Sequence, residues 1–233
     1  MRKILPWLMA LVLAATATAA SAQAKPKPKA PSKTPPATQS APAPAPQPKA
    51  VSLKCVGLYS ETDAGYVSYR VGTGAWTVVK VGDTVPGDAE IKVTVDRDWV
   101  ELTPADNPAA VYELNGENGE VTKKVADLVK GAPRQVKTPK ANGDTPDPAF
   151  KDKLVVTQYL GRQIYTDPNG DEKDIKYGDV LELKGKVAII AINNTITLMN
   201  AAGKVTTVVG PLKFDVEKVL KNEKLYKFLN TGR

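Results

Sequence analysis

From Val51 onward the chain is built from short stretches that alternate apolar and polar residues. Ile91-Lys92-Val93-Thr94-Val95 and Asn194-Thr195-Ile196-Thr197-Leu198 change character with a period of two and are rich in β-branched residues, the pattern of half-buried strands. Val187 to Ile192 is apolar on both faces, which predicts a central strand. Turn signals punctuate these runs: Pro86-Gly87-Asp88, Asn115-Gly116, Asp167-Pro168-Asn169-Gly170 and Ala201-Ala202-Gly203-Lys204, each placing residues that tolerate turn geometry between strands. Strands so short and closely spaced predict a mainly β chain of small sandwich or barrel-like units rather than a parallel sheet. Two stretches change to a helical period. Glu120 to Lys130 sets Val121, Val125, Leu128 and Val129 on one face, and Asp215 to Leu229 does the same with Val216, Val219, Leu220, Leu225 and Phe228.

The pattern repeats. At an offset of 96 residues, Val79-Lys80-Val81-Gly82-Asp83-Thr84-Val85 falls on Ile175-Lys176-Tyr177-Gly178-Asp179-Val180-Leu181. Ile91, Val93, Val100 and Leu102 then fall on Val187, Ile189, Ile196 and Leu198, and Tyr69 falls on Tyr165. This apolar register predicts two units of one fold, residues 51–130 and 151–233, each followed by a short helix. Between them, residues 131–150 form a Pro- and Gly-containing stretch that reads as a flexible linker allowing independent movement. The shared Gly-Asp step predicts a bend in which Gly82 and Gly178 supply the conformation and Asp83 and Asp179 bond to the turn backbone.

Residues 1–24 follow a different logic. Arg2 and Lys3 precede a charge-free stretch from Ile4 to Ala24 whose second half turns small and ends in Ala20-Ser21-Ala22 and Ala22-Gln23-Ala24. That order predicts a cleaved secretory signal and a periplasmic or secreted protein; anchoring by an uncleaved signal is the alternative. Residues 25–50 carry five lysines, many prolines and no acid, which predicts an extended disordered arm reaching about 80 Å at full stretch. A solvated linker is the plain reading of this arm, and weak contact with anionic lipid or wall polymer is the functional one.

Dividing the charge by segment changes its meaning. The net charge of +7 resides in the signal and the arm, so the portion from Val51 onward is neutral and offers no broad field for nucleic acid. With no histidine and one cysteine in 233 residues, histidine-based acid-base catalysis, Ser-His-Asp systems and thiolate metal clusters have no ligands or bases to work with. Asp167, Asn169, Asp171 and Glu172 have some calcium-loop character, but Pro168 and the lack of a distal bidentate glutamate break that pattern. No cofactor or metal site is expected. Cys55, in an alternating run, reads either as a reactive lone thiol or as a buried inert one. Trp76, Trp99, Tyr66 and Tyr69 cluster in the first unit and are the candidate partner-binding residues, with core packing as their plain alternative.

The order of a strand, Lys-x-Gly-Asp, a strand pair, a further apolar strand and then Val208-Val209-Gly210-Pro211-Leu212-Lys213-Phe214-Asp215-Val216 resembles the extracytoplasmic FecR domain family. The resemblance spans residues 160–220 and, more loosely, 60–115. It implies a soluble β module that binds proteins or envelope components. Only Met1 to Lys3 precede the apolar stretch, so the sigma-factor control exercised from the cytoplasm by that family's namesakes is not expected here. The expected function is that of an exported, non-enzymatic structural or binding protein of the bacterial cell envelope, a protein-protein adaptor. A peptidoglycan or polysaccharide-binding module is the alternative, and a carboxylate-dependent hydrolase is the enzyme rival. The expected partner is accordingly an envelope protein or a cell-wall polymer.

Overall fold

Strands dominate the computed structural model, which describes residues 51–60, 67–94, 97–116, 119–140 and 145–222. The first unit runs β1 (Leu53–Tyr59), β2 (Val67–Val71), β3 (Thr77–Val78), β4 (Thr84–Val85), β5 (Ala89–Val93), β6 (Trp99–Pro104), β7 (Ala110–Asn115), β8 (Val121–Lys124) and a single turn of helix, α1 (Val125–Leu128). After β9 (Arg134–Gln135) and a short 3₁₀ turn, the second unit runs β10 (Lys153–Leu160), β11 (Gln163–Thr166), β12 (Glu172–Asp174), β13 (Val180–Glu182), β14 (Lys186–Ile189), β15 (Thr195–Asn200), β16 (Val205–Val209), β17 (Leu212–Asp215) and α2 (Val216–Leu220). No described helix is long and apolar enough to cross a membrane.

Every pairing inside the first unit has a counterpart in the second. β1 pairs with β4 and β6, β6 with β7, β2 with β3 and β5, and β5 with β8. In the same way β10 pairs with β13 and β15, β15 with β16, β11 with β12 and β14, and β14 with β17. The repeated Gly-Asp step explains part of this agreement. Gly82 and Gly178 adopt φ of +96° and +79°, a region closed to most side chains. Asp83 and Asp179 accept the Lys80 and Lys176 amides at 2.9 and 3.0 Å. So shaped, the turn straps the first strand of its unit where that strand bulges: Gly82 N–H and Asp83 C=O bond Cys55, and Gly178 N–H and Asp179 C=O bond Val156.

β1 and β10 pair in parallel, joining the units into one sheet ordered β16-β15-β10-β1-β6-β7-β9. Two four-stranded sheets complete the architecture, β3-β2-β5-β8 and β12-β11-β14-β17, giving sandwich-like units with no closed barrel. The register fixes where each core lies. Val208, Ile196, Tyr159, Gly57, Glu101 and Glu113 form one row across the joined sheet, and Val209, Thr195, Leu160, Leu58, Val100 and Leu114 the next. Adjacent rows face opposite sides of a sheet. Val208, Ile196 and Tyr159 belong to the second core, whereas Leu58, Val100 and Leu114 belong to the first. The two small sheets therefore pack on opposite faces, and each unit leaves the back of its share of the joined sheet to be covered by something else.

Three expectations need correction, and a fourth lies partly outside the described residues. The stretch from Glu120 to Lys130 begins as a strand: β8 pairs with β5 because tertiary pairing outweighs its helical period, and only Val125–Leu128 turns helical. Of the second helix, residues 216–220 are helical and residues 223–229 lie outside the described residues. The connection between the units, expected to be a flexible linker, is pinned over its described part: β9 pairs with β7, Val136 N–H bonds Ala109 C=O at 2.9 Å, and Val136 is buried in the second core. Residues Gln47–Arg233 accordingly form one compact unit. Val187–Ile189 is the central strand expected, lying between β11 and β17, but Ile190 and Ile192 leave it and are exposed.

Candidate functional site at the junction of the units

The exposed back of the first unit is closed by the second. Glu101, fully buried in the middle of β6, accepts the Tyr177 N–H at 2.8 Å through Oε2 and an Arg134 Nη2–H through Oε1. The same Nη2 donates to Tyr177 C=O at 2.9 Å. Tyr159 O–H donates to Glu101 and accepts Trp99 Nε1–H at 2.7 Å. Trp99 stacks on Tyr59 with ring centroids 3.6 Å apart and planes 10° from parallel, and Lys176, paired with Glu113 at 2.8 Å, lies over its other face. Burial pushes the Glu101 carboxyl above the usual carboxylate range, opposed by the Tyr177 amide and Arg134. Burial, and then Glu101, pushes the Tyr159 hydroxyl well up. A buried acid with each oxygen partnered fixes one arrangement of its neighbours, because any other arrangement leaves polar groups unpaired in a low dielectric. Gly57 permits the approach: a Cβ there would stand 2.2 Å from the Tyr159 ring.

The matching back of the second unit is open. By the repeat, Gly57, Glu101 and Glu113 correspond to Gln158, Thr197 and Thr207, and the Lys176-Tyr177-Gly178 turn corresponds to Lys80-Val81-Gly82. In place of a sealed network there is a cleft of about 920 Å³, with Leu160, Gln158, Thr195, Thr197 and Thr207 on one side and Lys80 and Val81 on the other. Ile190 to Asn194, Gly161 and Arg162 line it too, as do Leu58 to Ser60, Val67 and Val79 of the first unit. Among the described residues no Asp or Glu lines it; the charged lining residues described are Lys80 and Arg162, and Arg162 pairs with Asp174 at 3.4 Å. The cleft thus offers hydroxyls, amides, cations and an apolar strip. Among the described residues it holds no carboxylate pair for acid-base chemistry.

Of the candidate residues taken from the sequence, Trp76, Trp99 and Tyr69 do not line this cleft. Trp99 is engaged in the closed junction. Trp76 sits half-buried between Arg70 and Lys92, each 4.6 Å from its ring, and Arg70 is held by Glu90 at 2.8 Å. Tyr69 packs against the first core, and Tyr66 lies outside the described residues. Cys55 is buried, with its thiol pushed up to about 12 mainly by burial, which suits a packed, protonated side chain rather than a nucleophile. Asp167 accepts the amides of Asn169 and Asp171 at 2.8 and 2.9 Å, so the loop with calcium character is a hairpin turn. Among the described residues no group of three or more acids or cysteines is placed to hold a metal.

Sequence reasoning missed Glu101, Arg134, Tyr159 and Tyr177. A signal for Glu101 was present: it is the one acid in Trp99-Val100-Glu101-Leu102-Thr103, a strand otherwise free of charge. No protein-family model, no characterised protein and no solved structure matches this chain.

Proposed function

We propose that this protein is an exported, non-enzymatic binding protein of the cell envelope, built from two FecR-like β units and acting as an adaptor that holds a protein partner in the cleft at their junction. The observation that carries this reading is the contrast between two equivalent surfaces of one compact unit, one sealed by a buried network and the other left, among the described residues, as a cleft of about 920 Å³. A cleft that joins an apolar strip to hydroxyl and amide groups suits a polypeptide, which presents both kinds of surface. Among the described residues the cleft presents hydroxyls, amides and cations rather than paired carboxylates, which supports binding over the hydrolase alternative. The threonine and amide groups favour a second reading, a module for peptidoglycan or another polysaccharide.

The test is retention of envelope components by the mature protein and by Leu160→Arg, which fills the cleft from a position already 37% exposed. The expected result is a protein retained by the parent and lost by the variant. Retention of insoluble peptidoglycan alone would replace the adaptor with the wall-binding reading.

A further inference from the structure

The first unit shows how the edge of its sheet is finished. β9 lies antiparallel on β7, opposing Ala110 to Gln135 and Val111 to Arg134. Val136 follows it into the space above Gly178, where a Cβ would stand 2.5 Å from the valine. As a result Val111 is only 2% exposed. In the second unit the corresponding strand is β16, and among the described residues nothing pairs with its outer edge. Val205, the counterpart of Val111, is 50% exposed, and Val209 is 48% exposed. At Gly82, the counterpart of Gly178, nothing lies within 4 Å of where a Cβ would be.

The backbone of β16 is oriented for pairing. Asn200 N–H bonds Lys204 C=O, and Gly210 N–H bonds Asn194 C=O. In an antiparallel ladder such hydrogen-bonded pairs alternate, so with the observed register Thr206 and Val208 bond to β15. The N–H and C=O of Val205, Thr207 and Val209 therefore point out of the sheet. Their side chains lie on the same face of the sheet as Leu160, and Thr207 lines the cleft. Donors, acceptors and an apolar strip are thus presented together along one open edge, the arrangement that accepts an added strand.

We propose that the free edge of β16, with the adjoining cleft, is a docking site for an extended segment of a partner polypeptide that adds as a further antiparallel strand. The segment sets an apolar side chain against Leu160 and Val81 and an acidic one beside Lys80. Two features single out this occupant. The molecule already uses the same mode once, with β9 on β7, and the described lining of the cleft carries Lys80 and Arg162 and no carboxylate. This inference rests on the adaptor reading of the cleft.

The test uses a random dodecapeptide library displayed on phage, selected against the mature protein, with the best binder resynthesised for titration. Thr207→Pro removes one outward N–H while sparing the bonds to β15, and proline is tolerated on an edge strand. Thr207→Ala keeps the N–H and serves as the control, and circular dichroism checks the fold of both. The expected result is a binder with an acid next to an apolar residue, whose Kd rises at least tenfold in Thr207→Pro and less than threefold in Thr207→Ala. Its amide NMR shifts should fall on Val205, Thr207, Val209 and the Lys80–Gly82 turn. A binder lost in Leu160→Arg but unaffected by Thr207→Pro would overturn strand addition and leave the adaptor reading standing. Failure to select any binder, or indifference of the binder to both substitutions, would count against both. A free protein that is dimeric until Thr207→Pro makes it monomeric would give the edge to a second copy of the chain.

Discussion

The backs of the two units are built from equivalent strands, yet one is sealed and the other open. On the first, Glu101 draws together a tyrosine hydroxyl, a backbone amide and an arginine from three segments. On the second, Thr197 stands in its place; its hydroxyl meets that of Thr207 at 3.1 Å, and its backbone C=O accepts the Thr157 hydroxyl at 3.2 Å. A repeat that joins its strands in parallel with its cores on opposite faces creates two such backs. Sealing one joins the two halves into one compact unit; leaving the other open gives that unit a surface to offer. The difference lies in a few residues rather than in the fold.

The largest expected effect comes from removing the seal. Glu101→Ala leaves the Tyr177 N–H and the Tyr159 O–H without their acceptor and is expected to cost about 3–5 kcal/mol in urea unfolding, nearer the low end because Arg134, 39% exposed, regains water. Its counterpart, Thr197→Ala, loses one exposed hydroxyl contact and is expected to cost under about 1 kcal/mol. Equal losses would erase the distinction between the faces.

A sharper comparison uses the two turn glycines. Both have positive φ, so an alanine at either is expected to cost about 1–2 kcal/mol of backbone strain. At Gly178 the new methyl also meets Val136, adding about 1–3 kcal/mol of overpacking, whereas at Gly82 it meets nothing. Thermal unfolding should rank Gly178→Ala well below Gly82→Ala. The reverse order would mean that the second back is the crowded one.

The smallest effect is on pH dependence. The Glu101 carboxyl is raised in the folded state, so the folded protein holds its proton more firmly than the unfolded chain does. Its contribution is therefore fully present below the ordinary value of 4.5 and is lost as pH rises through the raised folded value. Urea midpoints measured upward from pH 4 should fall less steeply in Glu101→Gln than in the parent. A steeper fall in the variant would contradict burial as the main cause.

Much of this architecture was legible because it depends on local pattern. The apolar register of the repeat and the Gly-Asp step specify which strands pair and where the first strand is strapped, and both are visible in residues 79–102 and 175–198. The junction was not legible, because its partners are far apart in the chain: Glu101 meets Arg134 by way of β9 on β7, and Tyr159 and Tyr177 across the joined sheet. Composition also misled. A stretch with four prolines and two glycines reads as a linker, yet a two-residue strand and one buried valine suffice to pin it. Likewise, aromatic residues drew attention to Trp76 and Trp99, while the cleft is lined by threonines and amides that carry no distinctive pattern.

The most direct test of the central contrast is amide hydrogen exchange on the full chain, comparing the outward-facing amides of two equivalent edge strands. The Val111 amide faces β9 and should be strongly protected. The amides of Val205, Thr207 and Val209 should exchange at close to the rate of an exposed strand edge. Comparable protection of both edges in the free monomeric protein would contradict the account, because it would mean that the edge assigned to a partner is already filled.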